Sequence, residues 1–150
     1  MYTQSRVLRH AAGGFFALAV FISFSAPSAS AQRAFDHKDA LWWGNLEAQL
    51  TTSLDSPVEQ VRDTALRHVI FFATYYGDRV DFTVAAGKIL DVYEHERHEG
   101  RRMMALSALH AIGSRPAMER LHELVRQEPR GRLHQLTLAV LADYFARQTS

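Results

Sequence analysis

The chain has 150 residues, 17 of them lysine or arginine and 16 aspartate or glutamate, and it contains no cysteine. A chain of this length holds one domain. The lack of thiols excludes haem attachment through Cys-x-x-Cys-His, thiolate zinc centres, iron–sulfur clusters and cysteine nucleophiles, and the near-balanced charge gives no support to nucleic-acid binding.

Residues 1–31 read as a signal peptide. Arg6, Arg9 and His10 form a basic start, Ala11 to Phe24 an apolar run, and Pro27 a break; Ala29-Ser30-Ala31 then offers the small residues a signal peptidase accepts. The apolar run is short of the roughly 20 residues a membrane span needs. The expectation is cleavage between Ala31 and Gln32, no stable membrane span afterwards, and a periplasmic or extracellular location. The alternative is an uncleaved segment that anchors the domain at the outer face of a membrane. Arg6 and Arg9 leave with the leader, which takes the 17 basic residues to 15 against 16 acidic ones. They are unevenly placed: residues 32–96 carry 6 basic and 11 acidic groups, and residues 97–150 carry 9 and 5. That polarity can steer a charged partner or end-to-end self-association, although solvated helix faces account for it more simply.

The remaining chain has a helical period nearly throughout. Residues 32–54 form an N-terminal segment and a capping helix from about Asp39 to Thr52, carrying Leu41, Trp42, Leu46 and Leu50. From Pro57 the stripe Val58, Val61, Ala65, Val69, Phe72 and Tyr76 steps by three and four residues, so it lines one helix face. Asp55 or Ser56 is the expected N-cap and Gly77 the expected left-handed C-cap. Asp78 is expected to cap a third helix with Phe82, Ala85, Ala86, Ile89, Leu90 and Tyr93 inward. A fourth follows Gly100 through Met103, Leu106, Leu109 or His110 and Ile112 to Gly113. A fifth starts at Ser114 with Pro116 in its first turn and buries Ala117, Leu121, Leu124 and Val125. Glu128-Pro129 stops the chain before a sixth helix with Leu133, Leu136, Val140, Leu141 and Tyr144. Short connections imply antiparallel neighbours.

Asp55-Ser56-Pro57-Val58-Glu59-Gln60-Val61-Arg62-Asp63-Thr64-Ala65-Leu66 resembles the opening helix of a HEAT repeat, the family of stacked helical hairpins. Met104-Ala105-Leu106-Ser107-Ala108-Leu109-His110-Ala111-Ile112-Gly113 is similar to the end of the same helix. Ala117, Leu121 and Leu124 match the second helix of such a unit. Leu66, Leu106 and Leu138, spaced by 40 and 32 residues, stand at equivalent positions. Arg101 departs from the pattern, standing where Val61 stands in the first unit, and Arg132, Leu133 and His134 follow it poorly. The resemblance covers residues 55–147. It implies an all-α fold: a short right-handed α–α solenoid of about six antiparallel helices after a signal peptide. An irregular helical bundle is the alternative.

Two groups of residues invite a chemical reading. In Tyr93-Glu94-His95-Glu96-Arg97-His98-Glu99-Gly100, a helix running to Arg97 would put Asp91 with His95, and Glu94 with His98, on one face. Those four side chains are the ligands of a metal-binding or metal-dependent enzyme reading. The spacing is unfavourable: His-Glu-x-His lacks the third intervening residue of the zinc-protease pattern, and the Glu-x-x-His of di-iron bundles is missing. His98, His110, His122 and His134 recur every 12 residues, which on one helix is about 18 Å of rise and fixes no shared site. Trp42-Trp43 is the second group. Neighbouring positions on a helix point about 100° apart, so one indole closes the end of the stack, and the other either completes that cap or anchors a partner. Arg101 and Arg102 lie near a helix start that favours anions. No phosphate-binding glycine loop or nucleophile elbow occurs. The expectation is therefore an exported protein-interaction or scaffold module without catalysis or cofactor, contacting a protein partner through Trp42, Trp43, Arg101 and Arg102.

Overall fold

The computed structural model describes residues 34–149, so the expected signal peptide and its cleavage point lie outside the described residues. The described chain is all-α: α1 (Ala40–Ser53), α2 (Glu59–Tyr75), α3 (Thr83–His95), α4 (Glu99–Ile112), α5 (Arg115–Leu124) and α6 (Arg132–Gln148), with no strand among the described residues. None of these helices is long and apolar enough to cross a membrane.

Each helix is held by one apolar face. Trp43, Leu50 and Leu54 come from α1 and its end; Ala65, Leu66, Val69, Phe72 and Tyr76 from α2; Phe82, Ala85, Ala86, Ile89 and Tyr93 from α3. Ala105, Leu106, Ala108 and Leu109 of α4 are also buried, as are Ala117, Met118 and Leu121 of α5 and Leu133, Leu141 and Tyr144 of α6. The alanines of α3 and α4 keep these two helices close, and α4 is the central element, packing on α2, α3, α5 and α6. Alternate helices also meet. α2 packs on α4 and α4 on α6; α1 packs on α3 and α3 on α5. Between α3 and α6 the buried Tyr93 hydroxyl lies 2.8 Å from Thr137 Oγ1, which itself donates to the Leu133 carbonyl at 2.9 Å. Thr137 therefore accepts from Tyr93, and both buried hydroxyls are satisfied.

Several local expectations are corrected. Val58 and Val61 are 50% and 40% exposed: Val58 precedes the helix, and Ala65, Leu66, Val69 and Phe72 supply the buried face of α2. Ser56 Oγ accepts from the Val58 N–H at 3.2 Å, so Ser56-Pro57 forms a turn ahead of the helix instead of capping it. Gly77 is not left-handed; Gly113, with φ 65°, is the positive-φ residue of the described chain. Gly77 is needed for a different reason, since a Cβ there would stand 2.9 Å from the Ala73 carbonyl oxygen. Asp78 does not cap α3, whose first turn is held by Asp81 accepting from the Thr83 N–H at 2.9 Å. Gly100 lies inside the first turn of α4, not in the loop before it. Leu136 and Leu138 are 40% and 46% exposed, and Thr137 and Leu141 take the inward positions of α6. Leu138 is thus not equivalent to the buried Leu66 and Leu106.

Candidate functional site

The N-terminal end of the molecule concentrates its aromatic side chains. Asp39 accepts from the Trp42 N–H at 2.8 Å and so fixes the first turn of α1. From that turn Trp43 points inward, 4% exposed, with its ring centroid 5.2 Å from Tyr76 and 6.0 Å from Phe72. Trp42 stands edge-to-face on Trp43 at 4.9 Å and is half-buried. Its outer side stacks on Phe35 at 5.5 Å, and the Lys38 ammonium lies 5.4 Å from its ring. Phe35 is tied back by its N–H, which donates to the Tyr76 hydroxyl at 3.3 Å. The two indoles therefore differ in burial: Trp43 belongs to the core and Trp42 to the boundary. The Trp43 Nε1–H is buried without an acceptor among the described residues.

Beside this cluster α1 and α2 leave an apolar groove of about 520 Å³, lined by Phe35, Leu46, Leu50, His68, Phe71 and Phe72 among others. Next to Trp42, Leu41 is 73% exposed. The groove is large enough for one or two apolar side chains, and its walls offer little polar chemistry beyond the His68 ring and the Gln49 amide. Nothing in it resembles a nucleophile with its base. Phe35 and His68 were not legible as site residues; the available signal was a lone aromatic shortly before α1 and a histidine one turn ahead of Phe71-Phe72.

Arg101 and Arg102 open α4 but point into the molecule. Arg101 Nε donates to Asp63 Oδ1 at 2.9 Å, its other nitrogens reach Glu59 and Glu96, and its side chain is only 18% exposed. It thereby joins α2, the end of α3 and the start of α4. Arg102 donates to the Tyr93 carbonyl at 2.7 Å and through Nη1 to Glu128 at 3.0 Å, while Nη2 holds the second Glu128 oxygen. Its guanidinium carbon lies 5.1 Å from the Tyr93 ring centroid. Burial pushes the Tyr93 phenol above the ordinary tyrosine range. Both guanidiniums are thus occupied by carboxylates from other segments of the chain.

The charged stretch after Tyr93 is likewise divided. α3 ends at His95, whose Nδ1 lies 3.1 Å from the Asp91 carbonyl. Glu94 pairs with Arg120 on α5, and Glu96 accepts from the His98 N–H at 2.9 Å. His98 is the N-cap position of α4. Asp91, Glu94, His95 and His98 are therefore not brought together, and among the described residues no three His, Asp or Glu side chains are placed to hold a metal ion. Of the equally spaced histidines, His110 lies 2.6 Å from Asp143 on α6, and His122 packs its ring on Phe145. Compared with protein-family models, with curated proteins and with solved structures, the chain shows no match.

Proposed function

We propose that this protein is an exported, short right-handed α–α solenoid of HEAT type that serves as a protein-interaction or scaffold module without catalysis. The observation that carries the proposal is the apolar groove between α1 and α2, lined by Phe35, Leu46, Leu50, His68, Phe71 and Phe72, with the half-buried Trp42 stacked on Phe35 at its edge. A shallow groove between neighbouring helices is the surface that stacked-helix folds use for binding, and tryptophan at its rim supplies apolar area with few rotatable bonds. The packing of α2 on α4 on α6, and of α1 on α3 on α5, supports the stacked reading, because consecutive hairpins of a solenoid meet through alternate helices. The leader pattern supports export.

A photoreactive amino acid at Gln49, an exposed residue of the groove, crosslinked in the native envelope and read by mass spectrometry, tests the interaction. A defined adduct that Trp42→Ala abolishes, in a protein of unchanged fold, is the expected result. No adduct, or the same adducts with and without Trp42, would remove the groove from the proposal. N-terminal sequencing tests the export reading separately: a start at Gln32 is expected, and an intact Met1 contradicts it.

A further inference from the structure

Where α4 and α6 begin, a second concavity has a different chemistry. Arg97, Arg102, Arg130 and Arg132 line a cleft of about 310 Å³ with only Glu99 and Glu128 to balance them. We propose that this cleft is an anion site that takes a phosphate group.

The charges do not cancel within the chain. Glu128 is committed to Arg102 through both carboxylate oxygens. Arg97, Arg130 and Arg132 are exposed and form no ion pair or side-chain hydrogen bond among the described residues. Glu99 is the single carboxylate left to face them, so two positive charges of the cleft are unmatched. These arginines come from different parts of the chain: Arg97 from the α3–α4 connection, Arg130 from the α5–α6 connection, and Arg132 from the first turn of α6. Their convergence on one concavity is a product of the fold, and like charges gathered this way repel one another until an anion joins them.

The backbone adds to the same field. α4 and α6 are 14 and 17 residues long, both begin at this cleft, and neither has a side-chain cap. Their first amides therefore keep free donors, and each helix dipole places about half a positive charge there. A phosphate matches this arrangement better than a carboxylate does. Its oxygens can accept from several guanidiniums at once, and a dianion equals the unmatched charge. The phosphate source can be a soluble ion or the phosphomonoester headgroup of a membrane lipid, and both present the same dianion to the cleft.

The test uses the whole exported chain, isotopically labelled, titrated with inorganic phosphate at constant ionic strength while backbone amide shifts are followed. Saturable shifts confined to residues 97–102 and 130–134 are expected, and sodium chloride alone should not reproduce them. The double substitution Arg130→Gln, Arg132→Gln should weaken binding about tenfold or more, because it removes two charge-assisted contacts, and should not lower the thermal midpoint of the anion-free protein, since it relieves the repulsion between them. Flotation with vesicles containing phosphatidic acid, whose headgroup is a phosphomonoester, distinguishes the source. Co-flotation that both inorganic phosphate and the double substitution abolish assigns a lipid headgroup; phosphate titration without flotation assigns a soluble phosphate. Shifts scattered over the surface, equal shifts with chloride, or unaltered binding in the double variant would overturn the proposal.

Discussion

Trp42 and Trp43 are adjacent in sequence, yet the structure assigns them different energies, and single substitutions can separate them. Trp43 is 4% exposed and surrounded by Trp42, Phe72 and Tyr76. Trp43→Ala removes a buried indole and leaves a cavity, a change that costs about 3–5 kcal/mol. Trp42 is half-buried, so Trp42→Ala loses part of the apolar area together with the ring contacts to Phe35 and Trp43, about 1–2 kcal/mol in all. In urea, with a slope of about 1.5 kcal/mol/M, those losses move the midpoint down by about 2–3 M and about 1 M respectively.

Trp43→Phe sharpens the argument. The Trp43 Nε1–H is buried without an acceptor among the described residues, and an unpaired buried donor already costs the folded state about 1–3 kcal/mol. Phenylalanine keeps a ring in the core and sheds that donor, so its net loss should stay within about 1 kcal/mol of the parent. Urea unfolding followed by far-UV circular dichroism measures all three variants. Fluorescence gives an independent reading, because the chain has two tryptophans and each Phe variant leaves one emitter. Trp42→Phe should leave blue-shifted emission from buried Trp43, and Trp43→Phe should leave redder emission from Trp42. If Trp42→Ala proves as costly as Trp43→Ala, the division of the pair into core and boundary is wrong. If Trp43→Phe costs as much as Trp43→Ala, the unpaired donor carries no weight.

Thr137→Val keeps the shape of the side chain but leaves the buried Tyr93 hydroxyl without its acceptor, so it should cost about 1–3 kcal/mol; adding Tyr93→Phe should return part of that loss, and strict additivity in the double-mutant cycle would refute the coupling. Arg101→Met leaves Glu59, Asp63 and Glu96 facing one another without their cation. A loss of about 2–3 kcal/mol is expected at low salt, discounted for the exposure of Glu59 and shrinking in 1 M salt as the carboxylates are screened; thermal melts at two ionic strengths check it, and a deficit that grows with salt contradicts it. Asp143 is held below the usual carboxylate range, first by its hydrogen bond to His110 and then by Arg147. Its contribution to stability is therefore full above the ordinary aspartate value of about 3.9 and lost as pH falls through its lowered value. Asp143→Asn should be less stable than the parent at neutral pH, with the gap closing in acid; a gap that persists in strong acid would show that ionisation is not its cause.

What the sequence made legible was what lies within a few residues. Gly113 followed by Ser114 and Pro116 marks the α4–α5 corner, and the structure puts a left-handed residue, an N-cap position and an early proline there. Gly77 followed by Asp78 has the same outward form, but there a Cβ would crowd the Ala73 carbonyl, and the next helix waits until Thr83. Only packing distinguishes the two corners. The same limit explains the arginines. A guanidinium near a helix start suggests a site for outside anions, but the carboxylate that meets Arg101 at Asp63 lies 38 residues away, and the one that meets Arg102 at Glu128 lies 26 away. Arg101 also stands where the repeat pattern places Val61. The structure inverts what residue type alone implies: Val61 is 40% exposed, while the Arg101 side chain is 18% exposed. The charge can be buried because α2 presents Glu59 and Asp63 one turn apart, on the side that α4 packs against. Part of the charge asymmetry between the two halves is therefore consumed in joining them, through Arg101 to Asp63 and through Arg120 to Glu94. Arg97, Arg130 and Arg132 are left over from that pairing, and it is the remainder, not the total, that is available to a ligand.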